Sequence, residues 1–129
     1  MKTEVASSIE ELKLQFNGSS FTVSEDGQGG AYVLIEPVTL GPKYRPSDTW
    51  MGFHVTAQYP YADIYPIFIG GNVARANGVA FSPPVTPGHN FQGRPAIQIS
   101  RRNTAAAQSG TQKAVAKILK VLDFLESLP

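Results

Sequence analysis

Apolar residues recur at helical spacing near both ends of the chain and alternate with polar residues through its middle. In the C-terminal stretch "TQKAVAKILKVLDFLESLP", Val115, Ile118, Leu119, Leu122 and Leu125 return every three or four positions. Lys113, Lys117, Lys120, Asp123 and Glu126 fall mainly on the other side. This spacing predicts an amphipathic helix that lays its leucine face on a sheet. Ser109 and Gln112 stand at capping-box spacing ahead of it. Near the N-terminus, Ser7 and Ser8 are each followed three residues later by Glu10 and Glu11, again a capping-box spacing. Ile9, Leu12, Leu14 and Phe16 come next, and Asn17-Gly18 is a stop. A helix over roughly Glu4 to Phe16 is expected, although Leu12 to Phe16 also alternates like a strand.

The middle of the chain supplies the sheet. "AYVLIEPVTL" is dense in branched and aromatic residues. "WMGFHVTAQYP" places Met51, Phe53, Val55 and Ala57 on one face and Trp50, His54 and Thr56 on the other. "YPIFI" and "PAIQIS" are further short strands, and "SEDGQGGA" reads as a hairpin tip. Helix, locally connected strands, a long irregular segment, a last strand and a helix predict an α+β domain. Its expected core is a four-stranded antiparallel meander with helices on one face. No linker divides the chain, so residues 1–129 are expected to form one domain.

Composition narrows the chemistry. Eleven basic and ten acidic side chains leave a formal charge of +1, which gives no general attraction to nucleic acid or anionic lipid. With two histidines and no cysteine, neither a metal site nor a cofactor is expected, and thiol chemistry and disulfides are excluded. The polar stretch Met1 to Glu11 lacks a signal-peptide core, and no apolar run is long enough to span a bilayer. The expectation is a cytoplasmic protein without membrane contact.

The segment "GGNVARANGVAFSPPVTPGHNFQGR" is long for a connection and is stiffened by Pro83, Pro84 and Pro87. It leads into "QGRPAIQISRR", which has the setting of a site but an alanine, Ala96, at its centre. Arg101 and Arg102 follow, a pair suited to a carboxylate or an acidic surface, or else simply a solvated strand end. Tyr59, Tyr61 and Tyr65, with Pro60 and Pro66, offer a rigid docking surface or packing beneath the turn.

Taken in order, these stretches resemble the ubiquitin-conjugating enzyme family, and in particular its compact bacterial members. "FHVTAQYPYADIYPIFI" is similar to the family's third strand, Tyr-Pro turn and next strand. "QGRPAIQI" is similar to the family stretch of Gly, any residue, Ile, Cys, Leu, so that Ala96 falls on the catalytic cysteine. The family's His-Pro-Asn triplet is absent as such, and His89-Asn90 is its nearest match. The resemblance spans roughly residues 8 to 128 and rests on the order of elements and the gaps between them.

It implies an acyl relay. A cysteine thiolate takes a ubiquitin-like protein from an activating enzyme as a thioester and passes it to a target. In this chain Asn90 would be the oxyanion donor and His89 its support or a proton shuttle. Glu10, Glu11 and Lys13, on the first helix, would meet the activating enzyme. Bacterial relatives stand beside activating enzymes and peptidases in antiviral defence-like operons. Ala96 leaves three readings open: a small residue on an ordinary strand, a natural non-catalytic variant that binds a ubiquitin-like protein or peptide, or a Cys-to-Ala change that cannot load. The stiff, proline-rich approach to Pro95 predicts that Ala96 lies near the surface, at the mouth of a shallow groove with the segment Gly88 to Gly93 as one wall.

Overall fold

The computed structural model describes residues 1–102 and 113–129. The elements are α1 (Thr3–Gln15), β1 (Ser20–Glu25), β2 (Ala31–Thr39), β3 (Tyr44–Arg45), β4 (Asp48–Val55), β5 (Ile67–Gly70), β6 (Ala74–Arg75), β7 (Val85–Phe91), β8 (Arg94–Ile99) and α2 (Ala114–Ser127). The class is α+β, as the patterning requires. The main sheet is antiparallel with six strands in the order β1-β2-β4-β5-β8-β7, and β3 pairs with β6 in a separate ribbon.

Period-two alternation sorts the sheet into two faces. Val33, Ile35, Met51, Phe53, Val55, Ile67, Ile69, Ile97 and Ile99 point to one side and are buried. There they meet Val5, Ile9 and Leu12 of α1 and Ala114, Ile118, Val121 and Leu125 of α2 in one core. Both helices therefore cover the same face. The opposite face carries Tyr32, Leu34, Trp50, Phe68 and Ala96, which form a second, smaller cluster with Phe91.

Two strands escaped the sequence reading, so the expected four-stranded meander becomes a six-stranded sheet. β1 is short, and its alternation of half-exposed apolar and exposed polar residues is weak. β7 lies inside the segment expected to be irregular. Its Pro87-Gly88 interior breaks the apolar pattern, and its pairing with β8 shifts register between Thr86 and His89. A tight turn then joins β7 to β8. Phe91 pairs with Arg94, and the intervening Gln92 and Gly93 take φ of 49° and 80°, the left-handed pair that hairpins with two-residue loops favour.

The helix starts and faces also differ from expectation. α1 begins at Thr3 after Lys2, with no side-chain cap, and Glu4 supplies the acidic group of its first turn. Ser8 is not a cap: it is buried inside the helix, where its hydroxyl donates to the Val5 carbonyl at 2.7 Å. The Ser109–Gln112 spacing lies outside the described residues. In α2 the buried stripe is Ala114, Lys117, Ile118, Val121 and Leu125. Ile118 and Leu125 are on the face predicted for them, Val115 and Leu122 are half-buried at its margin, and Leu119 is exposed.

Lys117, expected on the polar side of α2, is buried. Its Nζ donates to Asp63 Oδ2 at 3.0 Å and to the Arg101 carbonyl at 2.5 Å. The helix is tied down at its other end as well. The Tyr44 hydroxyl donates to the Leu125 carbonyl, and Lys43 Nζ donates to the carbonyls of Glu126 and Leu128 at 2.7 and 3.0 Å. Tyr44 of β3 and Lys43 just before it thus satisfy the Leu125 and Glu126 carbonyls in the last turn of α2.

Candidate functional site

The site expected from the sequence centres on Ala96. Its residue lies in β8, paired with Gly70 of β5 on one side and with His89 of β7 on the other. Asn90 is opposite Pro95. Strand register therefore sets His89 beside position 96 on the same face, whereas Asn90, paired with Pro95, turns to the other face of the sheet. The hairpin does not leave Ala96 open. The residue is 1% exposed, within the cluster of Leu34, Trp50 and Phe91. The expected groove mouth is corrected accordingly: residues 88–93 are strand and turn, and Phe91 folds over the sheet surface.

Phe91 is the residue that organises this face. Its ring lies 5.9 Å from Trp50, 5.3 Å from Phe68 and 6.4 Å from Tyr32, centroid to centroid. It reaches as far as β4 because Gly52 has no side chain: a Cβ there would stand 2.5 Å from the ring. Arg94, just past the turn, holds its guanidinium 5.7 Å from the Trp50 ring centre and donates to Glu36 Oε1 at 3.4 Å. Together these contacts fix the hairpin tip against β2 and β4. A shallow groove remains between the tip and the first hairpin, lined by Thr22, Ser24, Tyr32, Leu34, Phe91 and Arg94.

Beside the groove, His54 stacks on Tyr32 with centroids 4.2 Å apart, and its Nε2 lies 2.7 Å from Asp26 Oδ2. The other oxygen of Asp26 accepts the N–H groups of Gln28 and Gly30 at 2.7 and 3.0 Å. The hydrogen bond with His54 is the main reason that the Asp26 carboxyl titrates below its ordinary value; the two backbone donors add to it, and burial opposes it. A carboxylate whose pKa is lower folded than unfolded stabilises the fold fully above its ordinary value. That contribution is lost as pH falls through the folded value. In urea titrations across an acid pH series, Asp26→Asn should therefore show a flatter loss of stability below about pH 4 than the parent chain. Parallel acid limbs for the two proteins would contradict this.

The remaining sequence candidates separate. Tyr59 is buried at 6% exposure, and its hydroxyl accepts the Ala114 N–H at 3.1 Å, so it packs beneath the turn instead of offering a docking surface. Tyr61, at the turn tip, is 76% exposed. Tyr65 lies under Arg102, whose guanidinium is 4.0 Å from the ring centre, and Arg101 lies 4.4 Å from the centre of Phe124. Glu10, Glu11 and Lys13 are exposed on α1, with Lys13 Nζ 3.5 Å from Glu10 Oε1. Sequence reasoning missed Phe91, Arg94 and the Asp26–His54 pair. The one signal for Phe91 and Arg94 was Gln92-Gly93 as a hairpin turn, which would have placed them opposite each other.

Among the described residues no group of three or more His, Cys, Asp or Glu is placed to hold a metal ion, and no helix is long and apolar enough to cross a membrane. Comparison with family models, curated proteins and solved structures finds no match.

Proposed function

We propose that this chain is a non-catalytic binding module on a scaffold like that of the ubiquitin-conjugating enzymes. In this reading it holds a ubiquitin-like protein, or an extended peptide from one, on the open face of its sheet. The observation that carries the reading is the state of position 96. The residue there is an alanine that is 1% exposed, within the cluster of Phe91 and Trp50. Small size at 96 has a packing reason there, so it need not mark a lost nucleophile. The groove beside the hairpin offers what a binding face uses: aromatic edges from Tyr32 and Phe91, a guanidinium at Arg94, and hydroxyls at Thr22 and Ser24.

A second reading is the acyl relay itself, with cysteine as the native residue at 96 and an activating enzyme as partner. One observation favours it: strand register sets His89 directly opposite position 96, on the same face. Loading would then require the Phe91 ring to swing away from the site.

The variant Ala96→Cys separates the two readings. On the binding reading the thiol should react with a small aromatic disulfide only after denaturation. It should form no reductant-sensitive adduct with the cognate ubiquitin-like protein and activating enzyme, while the parent chain still binds the ubiquitin-like protein. A rapidly titrating native thiol, together with a thioester on a non-reducing gel, would replace the binding module by the acyl relay.

A further inference from the structure

The main sheet ends in two edge strands, β1 and β7, and they are built differently. β7 is blunted as a pairing edge by Pro87, Gly88 and a register shift between Thr86 and His89. β1 has none of these devices. Its six residues contain no proline or lysine, and its register with β2 runs unbroken from Ser20 opposite Glu36 to Glu25 opposite Ala31. A regular, unprotected edge is a template for another strand.

The backbone polarity of that edge is fixed. The Asp26 N–H donates to the Gly30 carbonyl at 3.1 Å, so Asp26 turns its backbone groups towards β2. Backbone direction alternates along a strand, so Ser24, Thr22 and Ser20 also face β2. Phe21, Val23 and Glu25 therefore present their N–H and C=O groups outwards.

The sequence of β1 reads alike in both directions: Ser20-Phe21-Thr22-Val23-Ser24 is polar, apolar, threonine, apolar, polar. We propose that β1 pairs with β1 of a second copy of this chain, antiparallel about a two-fold axis through Thr22, so that two sheets become one. Residues directly opposite each other share a face, so such an axis must pass through a residue. Centred on Thr22, the pairing sets Thr22 against Thr22, Phe21 against Val23 and Ser20 against Ser24. Threonine pairs and aromatic against β-branched are favourable cross-strand partners. Phe21 and Val23 are half-buried and pack against the core on the helix-bearing face, so their pairing extends that core across the axis. They are also the residues with outward backbone groups, and each exchanges N–H···O=C bonds with the other. Glu25 falls opposite Ser19, so no like charges meet. An axis through Val23 would instead set Phe21 against the Glu25 carboxylate. An axis through Phe21 would set Val23 against Ser19 and so lose the pairing of aromatic against β-branched residue. This inference is independent of the reading of position 96.

The test uses the absence of cysteine from the chain. Thr22 opposite Thr22 is a non-hydrogen-bonded pair, where the Cα atoms stand about 4.5 Å apart, within disulfide reach. Under mild oxidation Thr22→Cys should give a covalent dimer at least about tenfold faster than Ser20→Cys or Ser24→Cys, whose thiols face serines across the axis. Sedimentation of the unmodified chain should show a monomer–dimer equilibrium in the range of about 1–100 μM, as expected for a short edge contact. Thr22→Lys, which opposes two ammonium groups at the axis, should sediment as monomer with unchanged circular dichroism. Val23→Pro removes an outward N–H that β2 does not use and should do the same. A parent chain that stays monomeric at millimolar concentration, or equal cross-linking rates at residues 20, 22 and 24, would overturn the proposal.

Discussion

Asp63→Ala should destabilise the protein by about 3–5 kcal/mol, more than any surface substitution, because it breaks a buried ion pair by removing one partner. The Lys117 and Asp63 side chains are 4% and 11% exposed, and Nζ lies 3.0 Å from Oδ2. Without the carboxylate, the ammonium group keeps the Arg101 carbonyl as a neutral acceptor while still shielded from water. The contact matters for the architecture because it joins the turn between β4 and β5 to α2, alongside the bond from the Ala114 N–H to the Tyr59 hydroxyl. The double variant Asp63→Leu with Lys117→Met should recover part of the loss, since replacing both charges removes the desolvation cost together with the attraction, while the Arg101 carbonyl still loses its donor. Urea unfolding of the parent, both single variants and the double variant measures the cycle. A cost below about 1 kcal/mol for Asp63→Ala would place the pair in contact with solvent.

The second large effect is expected at Leu125. Leu125→Ala should cost about 2–5 kcal/mol, whereas Leu119→Ala should stay within about 0.5 kcal/mol. Both leucines belong to the face that the periodicity predicts, but Leu125 is 0% exposed and Leu119 is 36% exposed. Truncating Leu125 opens a cavity between α2 and the sheet, at the point where the Tyr44 hydroxyl holds the Leu125 carbonyl. Leu122→Ala should fall between the two, because Leu122 is only half-buried at the margin of the core. Thermal unfolding of the three variants checks the order. Equal shifts for Leu119 and Leu125 would mean that α2 is rotated from the orientation described.

Much of the fold was legible because its signals are local. The strands around Val33, Phe53, Phe68 and Ile97 announce themselves by period-two alternation or by dense branched residues. Both helices show in their apolar spacing. β7 was not legible, because Pro87 and Gly88 interrupt it and its pairing depends on a strand it meets only through the hairpin. The phase of α2 was misjudged by treating Lys117 as a solvent-facing charge. Its burial depends on Asp63, more than fifty positions earlier, and no local pattern records that partner.

The same distinction governs the candidate site. Read along the chain alone, position 96 lacks a nucleophile, His89 and Asn90 lie just upstream, and no cysteine or histidine cluster competes as a chemical centre. These follow from residue identity and spacing, which need no fold. It takes the fold to cover Ala96, to turn Tyr59 inwards while Tyr61 stays exposed, and to bring Asp26 to His54. Each of these depends on contacts between residues distant in the chain. The clearest case is Phe91 over Gly52: a ring on one strand occupies the space left by a missing side chain on another, and burial at 96 follows from that fit.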